Sequence, residues 1–170
     1  PFRDTADLTI RVTDQTVADT GADLILHPPV LAVGVGCERD TDAAELTSLV
    51  TATLAEAGLA AGAVACVASL DVKADEAAVH AVAAALGVEA RFFDAPRLET
   101  ETPRLANPSD VVFREVGCHG VAEGAALAVA GADGELIVEK HKSARATCAV
   151  ARASAPIDVA AIGQGRGSLA

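Results

Sequence analysis

Four stretches of this chain combine residue types and spacings that could do chemistry. The first is Gly34-Val35-Gly36-Cys37-Glu38-Arg39, in which two glycines precede a thiol and a guanidinium. Glycines let backbone N–H groups approach a ligand closely, and an arginine fork matches a carboxylate, so the loop is a candidate anion pocket. A dinucleotide site is weakly indicated, because Arg39 stands where the G-x-G-x-x-G fingerprint has its third glycine. A tight turn between a strand and a helix is the alternative without a ligand.

The second stretch is Ser69-Leu70-Asp71-Val72-Lys73-Ala74-Asp75-Glu76, which follows a second apolar run. If the two runs are parallel strands, their carboxyl ends lie at the same edge of a sheet, and this stretch neighbours the glycine loop. Asp75 and Glu76 have a simple explanation, since acidic residues favour a helix N-terminus. Asp71 and Lys73 precede that helix, and for them a solvated loop and a ligand site both remain open.

The third candidate is Glu123, near the start of the Ala-rich segment 121–130. A carboxylate in the first turn of a helix often only complements the helix dipole, and the alternative is that Glu123 faces a site formed by the loops. Cys118 and His119 lie just upstream. They are weak evidence for thiol catalysis, because a nucleophile and its base must be adjacent in space rather than in sequence.

The fourth stretch carries Lys140, Lys142 and Arg145 within six residues. Together with Arg39 and Lys73 they are five of the 13 basic residues, all beside predicted strand ends. In a chain with 24 acidic residues, this concentration predicts a ligand with several carboxylates, and an ordinary charged hairpin is the alternative.

Composition excludes several classes of partner and site. A formal net charge of −11, with four Phe and no Trp or Tyr, makes nucleic acid and anionic membranes poor partners. No apolar run approaches the roughly 20 residues of a membrane span, and no signal segment begins the chain, so we expect a cytoplasmic location. The four cysteines form no C-x-x-C pair and have no His at zinc-site spacing, so we expect no metal and no cofactor.

The periodicity predicts an α/β fold with three layers, α/β/α, around an open, mostly parallel sheet that ends in an antiparallel hairpin. The predicted strands are the stretch 30–39, which opens into a tight loop at its end, then 64–70 and 90–93, with the hairpin at 135–139 and 146–151. The predicted helices run from Asp42 to Gly58, up to Gly87, from Ser109 to Val116, and over 121–130. Asp42 and Glu45 have the spacing of a capping box. Residues 96–108 are predicted to be a surface loop that includes one short helical turn.

Three segments follow from this pattern. Residues 1–29 contain two short strand-like runs and are an N-terminal extension or the end of a preceding domain. Residues 30–152 form the α/β domain, and residues 153–170 are a Gly-, Ala- and Ser-rich linker tail. The chain contains no Met, even at position 1, which suggests a piece of a longer polypeptide.

Taken in order, these motifs resemble the C-terminal domain of the cobalamin-biosynthesis protein CbiG, a domain that also occurs alone as CobE. The resemblance covers residues 29–152 and includes Gly124, where the family usually has Ala. The motifs are Gly34-x-Gly36-Cys37-x-Arg39, Ser69-x-Asp71-x-Lys73-x-Asp75-Glu76, Phe92-Phe93, Asn107-Pro108-Ser109-x-x-Val112, Val121-Ala122-Glu123-x-Ala125-Ala126-Leu127, Lys140-x-Lys142 and Thr147-x-Ala149-x-Ala151-Arg152. In addition, Gly165-Arg166-Gly167 resembles the junction to a corrin-ring methyltransferase.

The resemblance implies a function in corrin-ring synthesis. CbiG-type proteins open the δ-lactone of cobalt-precorrin-5A and release acetaldehyde, whereas CobE-type domains are implied to bind a corrinoid for a fused or partner methyltransferase. The implied partners are a precorrin or cobalt-precorrin and other cobalamin-pathway enzymes or domains. The implied general base is Asp71, Glu76 or Glu123. The implied substrate-binding residues are Gly34, Gly36, Cys37, Arg39, Ser69, Lys73, Lys140, Lys142 and Thr147.

Overall fold

The apolar runs of the sequence form the centre of a five-stranded mixed sheet in the computed structural model, which describes residues 9–18 and 23–163. The strands are β1 (Thr9–Val12), β2 (Asp23–Leu26), β3 (Leu31–Cys37), β4 (Val64–Leu70), β5 (Glu89–Phe93), β6 (Glu135–Lys142) and β7 (Ala146–Arg152). The helices are α1 (Ala43–Glu56), α2 (Ala77–Leu86), α3 (Ala95–Glu99), α4 (Asp110–Val116) and α5 (Val121–Ala130).

The order of strands in the main sheet is β5-β4-β3-β7-β6. Strands β3, β4 and β5 are parallel, and β7 runs antiparallel to both β3 and β6. The predicted α/β class is therefore confirmed, with the hairpin at the other edge from β5. Both hairpin strands are longer than the sequence indicated, and the carboxyl ends of β3 and β4 meet the β6–β7 turn.

Side chains on the two faces of β3 explain the two helical layers. Leu31, Val33 and Val35 pack into the core formed with α1 and α2. On the opposite face the strand carries small residues, and α5 lies so close that a Cβ on Gly34 would be 1.9 Å from the carbonyl oxygen of Ala122. Gly34 is thus required by strand–helix contact, because any side chain there would overlap the helix backbone.

The start of α1 corrects one prediction. Asp42 caps the helix as expected, since its Oδ1 accepts from the Ala44 N–H at 2.8 Å. The capping box is wrong, because the Glu45 carboxylate turns towards the β6–β7 turn. There its Oε1 accepts from Ser143 Oγ at 2.5 Å and from the Arg145 N–H at 2.7 Å. Glu45 therefore bonds to residues about a hundred positions away in sequence and does not form the local capping box.

The flanking segments were predicted as an extension and a linker. In the described part, β1 and β2 pair in parallel as a separate two-stranded sheet. After β7, the Ile157 N–H donates to Pro29 O at 2.9 Å, and Ile157 and Ile162 pack near α5. The division into domains stays a prediction, and the Gly165-Arg166-Gly167 motif lies outside the described residues. No helix within 9–18 or 23–163 is long and apolar enough to cross a membrane.

Candidate functional site

A cleft of about 440 Å³ opens where the carboxyl ends of β3 and β4 meet the β6–β7 turn, α4 and the start of α5. Its cationic wall carries Lys73, Lys140 and Lys142. The chain contains three lysines, so every one of them lines this cleft. The apolar wall of the cleft is formed by Leu70, Val112, Val116 and Val121.

The N-terminus of α5 adds a further positive element to the cleft. The first N–H groups of any α-helix have no acceptor within the helix and carry its positive dipole end. Gly120 is the N-cap and offers no side chain to satisfy them, and Gly120, Val121 and Ala122 line the cleft. Backbone donors and lysine ammonium groups therefore converge on one small volume, which is an arrangement suited to carboxylates.

Lys140 is a half-buried lysine of the cleft. Its Nζ donates to Asn107 O at 3.1 Å. Burial lowers the pKa of Lys140, and the neighbouring charge of Lys142 lowers it further, while Glu123 opposes both effects. A desolvated ammonium group next to a second cation gains from an anion placed between them, so this pair favours an anionic ligand.

Gly36, Cys37 and Thr147 are brought together in the floor of the cleft. Thr147 Oγ1 donates to Gly36 O at 3.3 Å, and a Cβ on Gly36 would be 2.8 Å from that hydroxyl. Burial raises the pKa of the Cys37 thiol, and Lys73 opposes the shift only in part. Cys37 therefore lines the cleft as a neutral thiol rather than as a thiolate nucleophile.

Arg145 lines the cleft, but its guanidinium group is already hydrogen-bonded to neighbouring residues. Its Nε donates to Glu38 Oε2 at 2.9 Å, and its Nη2 donates to Arg39 O at 2.7 Å. These bonds tie the β6–β7 turn to the loop after β3. Arg145 therefore positions the loop that follows Lys142, and the three lysines are the cations left for a ligand among the described residues that line the cleft.

Arg39, predicted to hold a substrate carboxylate, lies outside the cleft. Its Nη1 is 2.7 Å from Asp75 Oδ1, and its Nη2 donates to Val72 O at 2.6 Å. Glu76 is buried near this pair and accepts from the Asp40 N–H at 3.1 Å. These contacts join the loops after β3 and β4, so they stabilise the edge of the sheet where the cleft lies.

Three more predicted site residues lie outside the cleft. Gly34 is beneath α5, and Ser69 is buried with its Oγ donating to Val35 O at 2.8 Å. Asp71 is exposed in the short 3₁₀ turn Asp71–Lys73 that follows β4. Only Lys73, two residues further along, reaches the cleft from that turn.

Glu123 is 1% exposed and its carboxylate is fully occupied by donors. Oε2 accepts from the N–H groups of Ala106 and Asn107 at 2.9 and 3.0 Å. Oε1 accepts from Asn107 Nδ2 and from the Lys140 N–H, both at 2.9 Å. Burial raises the pKa of Glu123, but these hydrogen bonds outweigh it and hold the pKa below its usual range. These are the contacts of a structural carboxylate that fastens the 105–107 loop and β6 to α5.

Helix α4 is fixed by its hydrogen bond to the loop before α5. The Ser109 N–H donates to His119 O at 2.8 Å, and Phe113 stacks on the His119 ring with centroids 4.5 Å apart. His119 Nδ1 in turn lies 2.9 Å from Glu99 Oε1. Cys118 is buried and its pKa is raised by burial, so the neighbouring thiol and imidazole do not form a catalytic pair.

Sequence reasoning missed Glu115, which lines the cleft from α4. A signal was present, because Glu115 comes three residues after Val112 and so shares its face of the helix. Among the described residues, no group of three or more His, Cys, Asp or Glu side chains is arranged to hold a metal ion.

This cleft lies at the carboxyl ends of parallel strands, which is where open α/β sheets place their ligand sites, so the fold defines an α/β domain with a candidate ligand cleft. Residues 31–151 match the family described as "Cobalamin synthesis G C-terminus", and the chain belongs to this family. The predicted resemblance to CbiG and CobE is thereby confirmed.

Individual relatives agree with this assignment. The chain is 54% identical over 121 residues to Protein CobE of a Sinorhizobium species, covering 71% of this chain and 79% of that protein. It is 33% identical over 142 residues to a cobalt-precorrin-5A hydrolase of Priestia megaterium, covering 84% of this chain but 37% of the hydrolase. A crystal structure of CobE, a protein from the cobalamin (vitamin B12) biosynthetic pathway, superimposes with a TM-score of 0.67 at 38% identity, covering 72% of this chain and 89% of that one. The chain is a cobalamin-biosynthesis protein.

Proposed function

We propose that the cleft binds a precorrin, a tetrapyrrole whose acetate and propionate groups surround an apolar ring. The observation that carries this proposal is the placement of all three lysines of the chain around one cleft, in a protein of net charge −11. An overall negative protein repels a polycarboxylate at long range, so binding requires a local concentration of cations. The uncapped start of α5 supplies further donors beside the lysines.

The apolar wall fits the other part of such a ligand. Leu70, Val112, Val116 and Val121 line the same cleft as the lysines. Ligand pockets commonly measure about 300–1,000 Å³, and this cleft stands at the small end of that range. We therefore infer that the cleft holds one edge of the macrocycle, with its carboxylates on the lysines and its ring against the apolar wall.

For the reaction, we propose that the domain contributes to the hydrolytic opening of the cobalt-precorrin-5A δ-lactone with release of acetaldehyde. The similarity to the hydrolase of Priestia megaterium supports this reaction, although the chain spans about a third of that protein. The second candidate is a non-catalytic module that holds a corrinoid for a fused or partner methyltransferase. The higher identity to CobE, over most of its length, favours this candidate.

One incubation separates the two candidates. The chain is mixed with cobalt-precorrin-5A, and acetaldehyde and ring-opened pigment are measured against a protein-free control. Pigment binding together with acetaldehyde release supports the hydrolytic function. Pigment binding without any acetaldehyde release supports the carrier function.

Replacement of Lys73 or Lys142 by Ala is expected to weaken tetrapyrrole binding about tenfold each, which corresponds to roughly 1.4 kcal/mol. Each variant removes one ammonium group from the cationic wall, whereas the free energy of unfolding should change little because neither lysine is buried. The measurement is a titration of the octacarboxylate uroporphyrin III, followed by the absorbance and fluorescence of the pigment.

The matched control for the lysine variants is Arg114→Ala. Arg114 is an exposed cation on α4 that does not line the cleft, so its loss changes the net charge equally without removing a ligand contact. We expect its affinity to remain near that of the wild type. Equal losses in all three variants would indicate a long-range charge effect, and unchanged affinity in both lysine variants would contradict the assignment of the site.

A further inference from the structure

Two carboxylates line the cleft among the described residues, and only one is free. Glu38 lines the cleft from the loop after β3, and its Oε2 accepts from Arg145 Nε at 2.9 Å, so this carboxylate is committed to the β6–β7 turn. Glu115 is exposed, and its carboxylate makes no hydrogen bond or ion pair to another residue of the described ranges. Asp71, Glu76 and Glu123 do not line the cleft. An acid–base role inside the cleft therefore falls to Glu115.

The position of Glu115 suits a group that must meet a bound ligand. It lies in the last turn of α4 next to Val116, and both residues line the cleft. The helix that carries it is held at its first turn by the Ser109–His119 hydrogen bond and by the stacking of Phe113 on His119. The negative charge of Glu115 repels the substrate carboxylates, so substrate binding does not explain a carboxylate at this position.

We propose that Glu115 is the general base of lactone opening, an inference that rests on the hydrolytic function proposed above. The Glu115 carboxylate takes a proton from a water molecule while the water oxygen forms a bond to the lactone carbonyl carbon. When the tetrahedral intermediate collapses, the ring C–O bond breaks, and the departing alkoxide oxygen takes the proton back from Glu115. One water is added overall, and no oxidant or reductant is needed.

The lysines have a separate role in this step. Lys73, Lys140 and Lys142 hold substrate carboxylates and provide positive potential near the oxygen that becomes negative in the intermediate. The base comes from α4, whereas the cations come from the turn after β4 and from β6, so a substrate in the cleft meets them from different elements. Positioned general bases typically contribute factors of about 10²–10⁴ in rate.

The test compares Glu115→Gln with the wild-type chain in single-turnover reactions with cobalt-precorrin-5A, and it measures uroporphyrin III affinity in parallel. The variant is nearly isosteric, and it should lower the rate of lactone opening at least about 100-fold. Its affinity should be unchanged or up to a few-fold higher, because a negative charge leaves the cleft. The control Asp133→Asn removes an exposed carboxylate in the turn after α5, at the other end of that helix from the cleft, and should react at the wild-type rate.

Three outcomes overturn the inference, and they differ in what they say about the proposed function. A wild-type rate in Glu115→Gln removes Glu115 from the mechanism while the hydrolytic function stands. A loss of affinity comparable with that of Lys142→Ala shows that Glu115 supports binding rather than proton transfer. Pigment binding by the wild type without lactone opening excludes both the hydrolytic function and this base, and leaves the binding function intact.

Discussion

Glu123→Gln is expected to lower the free energy of unfolding by about 3 kcal/mol, although the substitution changes one oxygen to an amide nitrogen. Each carboxylate oxygen of Glu123 accepts two hydrogen bonds from N–H donors. A glutamine has one acceptor oxygen, so either orientation of its amide leaves the NH₂ group facing at least one backbone N–H donor in a buried site. The measurement is urea denaturation followed by circular dichroism.

Acidity provides an independent check on Glu123. Its pKa is lowered in the folded protein, so its contribution to stability is fully present above the ordinary value of 4.5 and is lost as the pH falls through the folded pKa. We expect the stability of the wild type to fall more steeply with acid below that value than the stability of Glu123→Gln. A parallel pH dependence in the two proteins would contradict the assignment of a charged, hydrogen-bonded carboxylate.

The matched control is Glu139→Gln. Glu139 is exposed and receives one long hydrogen bond from the same Asn107 side chain, at 3.3 Å. The same chemical change should therefore alter stability by no more than about 0.5 kcal/mol. If both variants lose stability equally, the loss comes from net charge and not from the buried donors around Glu123.

Gly34→Ala is expected to destabilise the protein by at least about 3 kcal/mol and to weaken tetrapyrrole binding. The new Cβ would lie 1.9 Å from Ala122 O and 2.7 Å from Ala126 N, which are backbone atoms that cannot rotate away. Relief requires α5 to move off the sheet, and the start of α5 is part of the cleft. Thermal unfolding and uroporphyrin III titration measure the two effects.

Gly124→Ala is the control for Gly34→Ala, because it adds the same methyl group to α5 on the side that meets Leu98 of α3 rather than β3. The Cβ at Gly124 would lie 3.5 Å from Leu98 O, which is an ordinary contact distance. Ala is favoured over Gly inside a helix by about 1 kcal/mol, so this variant should be as stable as the wild type or more stable. Losses of similar size in both variants would contradict the close approach of α5 to β3.

Local patterns were sufficient to predict the main elements. The strand predicted at 64–70 has those bounds in the structure, and α2 ends where Gly87 adopts a left-handed conformation with φ of 68°. These features depend on residues within one element, where apolar periodicity and a C-terminal glycine act over a few residues. That Lys73 and the lysines of β6 lie at one edge of the sheet was also predictable, because both follow predicted strands whose ends share that edge. The tertiary structure brings them to one cleft although β3 and β7 separate β4 from β6.

The hydrogen-bond partners of individual polar side chains could not be predicted from local sequence patterns. The sequence by itself determined the α/β class, the elements of the sheet and a concentration of cations in a strongly acidic chain. Only the tertiary structure decided that Arg39 pairs with Asp75, that Glu123 is enclosed by the 105–107 loop and β6, and that Glu115 opens onto the cleft. The physical reason is that a polar group satisfies its hydrogen bonds with whatever the folded chain brings near it. Those partners lie 16 or more residues away in sequence for Glu123 and 36 away for Arg39.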